Sequence, residues 1–237
     1  MNNWNSRGRT MIPVSCKKIV VLLVLLVMFI ISRPFPSISE ETFTIARLRY
    51  GGGGDWYSNP TSLPNLMRFV QEHTGISTSD KEAVVSVGSE ELFAYSIVYM
   101  NGHGNVLFTD KEAESLRRYL IGGGFLIADD NYGMDKSFRR EIKKVFPDKE
   151  LVLLPNTHPI FNVTFLFPGG IPKIHEHDGE PSQAYGIFHE GRLVVFYSYQ
   201  SDLGDGWEDA SVHNDPENVR LNALKMGTNI IVWALTR

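Results

Sequence analysis

The sequence predicts an α/β fold in which helices cover a mostly parallel sheet. From residue 43 onward, apolar strand-like runs alternate with segments of helical spacing, which is typical of such folds. The chain has 237 residues, 43% of them hydrophobic, which is enough to bury the core of one domain. We therefore expect a single α/β domain over residues 40–237.

The elements follow in chain order. Apolar runs predict strands at 43–50, 83–87, 96–100, 125–129 and 151–155, and a hairpin over 185–198 that turns at Glu190 and Gly191. Helical spacing predicts helices at about 64–73, 109–122, 136–146 and from 215 onward. Thr109 and Glu112 form a capping box at the start of the clearest helix, and Asp215 is predicted to cap the last one, with Pro216 at its first position.

Residues 1–39 predict export. They contain five Lys or Arg residues and no acid, and Lys17 and Lys18 precede thirteen apolar residues, 19–31. A helix of that length spans about 20 Å, short of the roughly 30 Å hydrocarbon core, which favours a signal peptide over a retained N-terminal membrane anchor. Ser37 and Ser39 form a small-residue cleavage site before Glu40. We expect a periplasmic or other extracytoplasmic protein; the alternative is an inner-membrane protein with a single anchor.

The mature part is acidic and contains no cysteine. Because five of the 23 basic residues precede residue 40, 18 basic and 27 acidic residues remain, a formal charge of −9. This argues against a nucleic-acid partner, which needs basic patches to neutralise phosphate. The single cysteine, Cys16, lies before the apolar run, so disulfides, thiolate metal ligands and a cysteine nucleophile are excluded.

Four predicted strands end in segments rich in Gly, Asp, Asn, His and Trp. In an open parallel sheet, ligands bind beyond the carboxyl ends of the strands. The candidate ligand-binding residues are those that follow these strands: Gly53, Asp55, Trp56, Asn101, His103, Asp129, Asp130, Asn131 and Trp207. We expect them to surround one cleft, with His103 close to one of the two aspartates.

Each strand-end motif also has a structural interpretation. Gly53 lies in GGGGDW, which lacks both the third Gly of a dinucleotide fingerprint and the Lys of a phosphate loop and is also typical of a tight turn. His103 lies between two glycines and is a candidate base, ligand or turn residue. Asp129 and Asp130 point to opposite faces of a strand. One is expected to face the site, while the other caps a helix or pairs with Arg49.

The loop at 156–184 is rich in Pro, Gly and His, and loops of this length are more often functional than not. His175 and His177 would lie on one side of an extended chain, as a pair of metal ligands would, but no spacing fixes a third ligand. We therefore assign no metal site and expect no cofactor. The sequence has no G-x-S-x-G elbow and supports no serine triad.

The mature chain contains six blocks between about Phe43 and Thr236: RLRYGGGGDWY, YMNGHGN, LRRYLIGGGFLIADD, SFRREIKKVFP, LPNTHPIF and YSYQSDLGDGWE. Together they resemble an uncharacterised bacterial family with a class I glutamine amidotransferase-like fold. The resemblance implies a flavodoxin-like, doubly wound sheet with helices on both faces. In that superfamily a cysteine nucleophile follows a strand. The matching strand here ends in Asp129 and Asp130, so glutaminase activity is expected to be absent.

Two functions from different classes remain open. One is an exported, non-catalytic domain that uses the strand-end cleft to bind a small molecule or an envelope protein partner. The other is a hydrolase in which Asp129 or Asp130 and His103 perform acid–base chemistry, with or without a metal. The lack of an identifiable nucleophile favours the first. His158 and Pro159 resemble the His-Pro pair of the superfamily but have no nucleophile to activate.

Overall fold

A seven-stranded sheet forms the centre of the part of the chain described by the computed structural model, Met1 and residues 42–237. The strands are β1 Ala46–Arg49, β2 Ala83–Ser86, β3 Ile97–Gly102, β4 Phe125–Asp130, β5 Val152–Leu153, β6 Gln183–His189 and β7 Arg192–Tyr199. Their order in the sheet is β2-β1-β3-β4-β7-β6-β5. The neighbours from β2 to β7 are parallel, whereas β6 is antiparallel to both β7 and β5. The predicted doubly wound, mostly parallel α/β fold is confirmed.

Six α-helices are present in the described residues. They are α1 Ser62–Thr74, α2 Asp110–Ile121, α3 Asp135–Val145, α4 Leu203–Trp207, α5 Ala210–His213 and α6 Glu217–Thr236. Single 3-10 turns lie at Glu90–Ala94 and Pro159–Phe161. None of the described helices is long and apolar enough to cross a membrane. The predicted signal peptide or anchor at 1–39 lies outside the described residues, apart from Met1.

The helices cover both faces of the sheet because apolar residues alternate along its strands. On β3, Val98 and Met100 belong to one buried cluster, which includes residues of α2 and α3. Ile97 and Tyr99 point to the other face and belong to a second cluster, which includes residues of α1, α4 and α6. Successive side chains of a strand point to opposite faces, so a continuous apolar run produces two cores.

The start of α2 agrees with its sequence signals. The Thr109 hydroxyl accepts a hydrogen bond from the Glu112 N–H (3.2 Å), and the Glu112 carboxylate accepts one from the Thr109 N–H (2.8 Å). This capping box pairs two amide groups that the first helical turn leaves free. The predicted end at Gly122 is also confirmed, since this residue is the C-cap.

Replacing Thr109 with Ala is expected to lower the free energy of unfolding by about 1 kcal/mol, because the amide that the hydroxyl pairs loses its partner. Thr236 is an exposed residue in the last turn of α6, and Thr236→Ala is the matched control, with an expected change of less than about 0.5 kcal/mol. Urea unfolding followed by circular dichroism measures both. Equal losses in the two variants would contradict a capping role.

Two element predictions need correction. Strand β5 has two residues, Val152 and Leu153, instead of five, because it is an edge strand whose side chains are about half exposed. The last helix begins at Glu217, with Pro216 as its N-cap residue. Asp215 does not cap that helix. Its carboxylate lies beside a histidine of the long loop.

Candidate functional site

Four strand ends meet at one edge of the sheet. Strands β1, β3, β4 and β7 are consecutive and parallel, so the segments that follow them leave the sheet on the same side. Register places Asn101 beside Asp129, Gly102 beside Asp130, and Asp129 beside Ser198. We call this side the carboxyl edge. It comprises the segments after the four strands, namely 50–59, 103–107, 131–134 and 200–215.

Asp129 is fully buried, and its carboxylate is bound within the protein. Oδ2 accepts hydrogen bonds from the Gly204 N–H (2.6 Å) and the Tyr99 hydroxyl (3.3 Å). Oδ1 accepts from the Leu203 N–H (3.3 Å) and from the Ser198 hydroxyl. Burial raises the pKa of Asp129 to about 7, although the hydrogen bonds from Ser198 and Gly204 oppose the rise. Asp129 thus holds the first turn of α4 against the sheet.

Asp130 is bound in a similar way at the start of α3. It is 2% exposed, and its Oδ1 accepts a hydrogen bond from the Met134 N–H (2.8 Å). Burial raises the pKa of Asp130 to about 6, opposed by that backbone hydrogen bond. The alternative that one aspartate pairs with Arg49 is wrong, because the Arg49 guanidinium donates to the Ser86 hydroxyl. Both aspartates bind backbone N–H groups where a helix begins.

His103 and Asp55 form a pair at the exposed rim of the carboxyl edge. His103 Nδ1 lies 3.0 Å from Asp55 Oδ2, and the His103 backbone N–H donates to Asp55 Oδ1. The side chains are 53% and 34% exposed. A carboxylate on Nδ1 orients the ring and directs its second nitrogen, Nε2, elsewhere. Of the predicted site residues, this pair is the best placed to meet a ligand.

Two predicted ligand-binding residues are structural instead. Trp207 is 0% exposed, because its ring packs against Tyr99 and its Nε1–H donates to the Ala223 carbonyl (2.8 Å). Asn101 is also 0% exposed. Its Oδ1 accepts from Arg47 (2.7 Å), and its Nδ2 donates to the Ser58 backbone carbonyl (3.1 Å). Both side chains are buried and their polar atoms are already paired within the protein, so the structure does not support a ligand-binding role for either.

The remaining predicted site residues differ in how deeply they are buried. Gly53 is exposed with a φ of 89°, as the tight-turn interpretation expects. Trp56 is partly buried and packs against the core cluster that contains α2. Asn131 is 2% exposed, and its Nδ2 donates to Asp205 Oδ1 (2.8 Å). Asn131 therefore connects the end of β4 with a group of residues that the sequence did not predict.

That group is a cluster of histidines and carboxylates at the β7 end of the carboxyl edge. We call it the histidine–carboxylate cluster, and its members are His175, His177, Asp202, Asp205, Glu208, His213 and Asp215. Strand β6 runs antiparallel to β7, so the loop before β6 reaches the same edge that β7 runs towards. The fold thereby joins the two loop histidines to residues from the segment around α4 and α5.

His175 lies at the centre of this cluster. Its Nδ1 is 2.9 Å from Asp205 Oδ2 and 3.6 Å from Asp202 Oδ2, and its Nε2 is 3.1 Å from both Asp215 oxygens. His213 Nε2 lies 3.9 Å from Asp205 Oδ2. One nitrogen from each histidine and one Asp205 oxygen all lie within 4.8 Å of one another. His175, Asp205 and His213 are therefore close enough to share one ion.

The charges of the cluster depend strongly on one another. The hydrogen bond with Asp205 raises the pKa of His175 to about 9, with burial opposing the rise and Asp215 adding to it. Burial by itself would raise the pKa of Asp205, but hydrogen bonds from His175 and Asn59 outweigh burial and lower it. Burial raises the pKa of Asp202 to about 7, with the charge of Asp205 adding to the rise and that of His175 opposing it. Without a ligand, a protonated His175 bridges Asp205 and Asp215.

Three buried acceptor oxygens at the carboxyl edge have no hydrogen-bond partner among residues 42–237: Asn131 Oδ1, Gln200 Oε1 and Asp202 Oδ1. The three side chains are at most 4% exposed. Buried polar atoms are normally paired, since leaving one unpaired costs about 1–3 kcal/mol. These three acceptors suit a donor or a cation, whereas the fourth unpaired buried atom of the described residues, Nε of Arg220 in α6, is a donor.

Comparison with protein families assigns the chain to one of them. The family model described as a domain of unknown function, DUF4159, matches residues 44–235. The chain belongs to the DUF4159 family. This confirms the predicted membership of an uncharacterised family, while the likeness to amidotransferases stays a prediction. A search of curated proteins found no match. The DUF4159 domain contains every candidate residue described above, from Gly53 to Asp215.

Proposed function

We propose that the DUF4159 domain is a non-catalytic binding module whose carboxyl edge binds a small ligand that donates hydrogen bonds or carries positive charge. The observation that carries this proposal is the set of three buried, unpartnered acceptor oxygens on Asn131, Gln200 and Asp202. A ligand with N–H or O–H donors would pair them, and a cation would also be attracted by the surrounding carboxylates.

The hydrogen bonds that Asp129 and Asp130 already accept support a binding function over a catalytic one. Asp129 and Asp130 both accept hydrogen bonds from backbone amides at the start of a helix, so neither is free to act as a nucleophile. Residues 40–237 also lack cysteine. A hydrolytic mechanism with a covalent intermediate would need a nucleophilic side chain that is not already held by such hydrogen bonds.

Backbone conformation at the same edge supports the proposal further. Tyr132, Gln200 and Asp202 have φ values of 68°, 58° and 59°, a region that side chains other than Gly seldom adopt. Such residues cluster at ligand sites, where the surrounding structure maintains the strain. Tyr132 is exposed and stacks on His177, with ring centroids 4.3 Å apart. The strained residues thus adjoin the histidine–carboxylate cluster.

The location of the module is part of the proposal. The basic, apolar composition of residues 1–39 supports export, with either cleavage near Glu40 or retention by a single anchor. The formal charge of −9 on the mature part is compatible with a cationic ligand. An envelope protein that presents basic groups is the second kind of partner that this surface would suit.

A hydrolase is the second candidate, and one observation favours it. Asp55 Oδ2 lies 3.0 Å from His103 Nδ1, the arrangement in which a carboxylate orients a histidine that acts as a general base through Nε2. Asp130 is close enough for His103 to lower its pKa. In this alternative, His103 would activate water with Asp130 beside it.

Polyamines, amino sugars and cationic amino acids are the test ligands, with neutral and anionic analogues of each as comparison. We expect cationic members to raise the melting temperature of the purified protein. Gln200→Leu is expected to weaken binding about tenfold or more, because a hydrogen bond to a charged group is worth about 1.5–3 kcal/mol. Gln71→Leu changes an exposed glutamine of α1 and serves as the matched control.

Two results would contradict this function. One is stabilisation by the anionic analogues in preference to the cationic ones. The other is turnover of ester or glycoside substrates that is lost in His103→Ala, which would favour the hydrolase instead.

A further inference from the structure

We propose that His175, Asp205 and His213 form a binding site for a divalent transition-metal ion of the zinc type. The inference deepens the proposed function, and it rests on that function only in using the same edge of the sheet. The sequence spacing indicated His175 only as one of a pair with His177, and it did not indicate Asp205 or His213, which come from α4 and α5. Four arguments support it.

The first argument is the geometry of the three ligand atoms. His175 Nδ1 and Asp205 Oδ2 are 2.9 Å apart, and Asp205 Oδ2 and His213 Nε2 are 3.9 Å apart. Zinc lies about 2.0–2.2 Å from nitrogen and oxygen ligands, so two ligands in a tetrahedral site are about 3.3 Å apart. The observed spacings lie on either side of that value. All three ligand atoms lie within 4.8 Å of one another, and side-chain rotations that shorten the longer spacings to about 3.3 Å would bring them to one ion.

The second argument is the support around the ligands. Metal-binding histidines generally donate their second ring N–H to a carboxylate, which fixes the tautomer and the ring orientation. His175 does this through Nε2, which lies 3.1 Å from both oxygens of Asp215. The other oxygen of Asp205, Oδ1, accepts from Asn59 Nδ2 (2.6 Å) and Asn131 Nδ2 (2.8 Å). Oδ2 of Asp205 is thereby turned towards the histidines.

The third argument is an independent, unpartnered group. Asp202 is 1% exposed, and its Oδ1 has no hydrogen-bond partner within the part of the chain that is described. Its Oδ2 lies 3.6 Å from His175 Nδ1 and also contacts His177. A buried carboxylate oxygen without a donor is costly unless a cation or a ligand is bound beside it. Asp202 is therefore a buried carboxylate beside His175 that a cation bound by the three ligands would stabilise.

The fourth argument is charge. Four carboxylates lie among the three histidines, namely Asp202, Asp205, Glu208 and Asp215. The buried ones, Asp202 and Glu208, have side chains that are 1% and 4% exposed. A dication would offset this concentration of negative charge at its centre.

The types of ligand atom decide the kind of metal. Two imidazole nitrogens and one carboxylate oxygen suit zinc and its first-row neighbours. Magnesium and calcium prefer sites made of oxygen ligands alone. The competing arrangement is a protonated His175 that bridges Asp205 and Asp215 and leaves no room for an ion. The two arrangements differ in whether the protein binds zinc.

The experiment is calorimetric titration of the full chain, purified without a polyhistidine tag and stripped with a chelator, using Zn²⁺ alone and then Mg²⁺ alone. We expect one zinc per chain with a Kd in the micromolar range or tighter, and at least 100-fold weaker binding of magnesium. Cobalt in place of zinc is expected to give the visible absorption of a four-coordinate ion, which reports the ligand geometry directly.

Variants assign the ligands. His213 is exposed in the short helix α5, and His213→Ala is expected to weaken zinc binding at least 100-fold while the fold stays intact by circular dichroism. Asp215→Asn removes the group that orients His175 and is expected to weaken zinc binding 10- to 100-fold. His189→Ala changes a histidine at the far end of β6, beside the hairpin turn, and is expected to leave zinc affinity unchanged.

Absence of zinc binding in the unaltered protein would overturn the site, and so would equal zinc affinity in His213→Ala and His189→Ala. Either result can occur while cationic ligands still stabilise the protein through Gln200, in which case the proposed function stands without the metal. The reverse result, zinc binding with no effect of cationic ligands, would support the metal site and overturn the ligand assignment.

Discussion

Arg47→Met is expected to lower the free energy of unfolding by about 3–5 kcal/mol. Arg47 is 1% exposed in β1, and its guanidinium forms an ion pair with Glu82 (2.8 Å). It also donates to the backbone carbonyls of Ser58 and Asn59 and to Asn101 Oδ1, all within 2.9 Å. Removal of the charge leaves Asn101 Oδ1 without its donor and Glu82 without its ion-pair partner, and an unpaired buried group costs more than an intact bond contributes.

Arg49→Met is the matched control for this prediction. Arg49 lies two residues further along the same strand, is exposed, and donates to the Ser86 hydroxyl. Its replacement is expected to change the free energy of unfolding by less than about 1 kcal/mol. Urea unfolding followed by fluorescence compares the two variants. Similar losses from both would mean that the Arg47 network contributes little to stability.

The second large effect concerns pH. The pKa of Asp129 is raised to about 7 in the folded protein from an ordinary value near 3.8, because the group is completely buried. The stability that this group contributes is fully present below about pH 4 and is lost as the pH rises through 7. The stability of the unaltered protein minus that of Asp129→Asn should therefore fall between pH 4 and pH 8. The expected fall is on the order of 4 kcal/mol.

Urea unfolding at several pH values between 4 and 8 measures this difference. Glu114→Gln changes an exposed carboxylate on α2 and is expected to give a stability curve parallel to that of the unaltered protein. If the Asp129→Asn curve also runs parallel, then the hydrogen bonds from Gly204 and Ser198 compensate fully for burial. That result would contradict the assigned shift.

Much of the fold was predictable because local signals agree with the tertiary structure. Each local signal is compatible with only one type of element. Examples are the capping box at Thr109, the helix end at Gly122 and the apolar runs of the central strands. The short helices α4 and α5 were not predictable. Gly204 and Gly206 lower helix propensity in α4, which depends instead on the distant carboxylate of Asp129.

The same two glycines explain an error about the site. Both lie in one of the Gly-rich segments that follow the strands, where the sequence predicted ligand binding. A Cβ at Gly204 would lie 2.3 Å from the Tyr99 hydroxyl oxygen, and one at Gly206 would lie 2.4 Å from the Ala223 Cβ. These glycines let α4 pack against the sheet and α6, and this packing buries Trp207. Sequence reasoning could locate the carboxyl edge but could not distinguish packing glycines from ligand-contacting ones.

The histidine–carboxylate cluster was missed for a different reason. His175 and His177 were recognised as a pair, but the partners of His175 lie 30 to 40 residues later in the chain, at Asp205, His213 and Asp215. No spacing rule joins a loop to residues beyond two further strands. The signal in the sequence was the density of Asp and His between residues 202 and 215.

The antiparallel direction of β6 brings the loop that precedes it to the carboxyl edge, although this loop is not part of the five-stranded parallel portion of the sheet. Residues 154–182 leave the sheet after the edge strand β5 and return to it through its neighbour β6, which lies between β5 and β7. Ile160, Phe161 and Ile171 of this loop belong to a buried core cluster, whereas residues 175–180, which include both histidines, can change without any shift in the register of the five parallel strands. Transplanting this loop between members of the family is expected to transfer ligand preference, because the loop brings two histidines to a rim that the rest of the domain supplies with carboxylates.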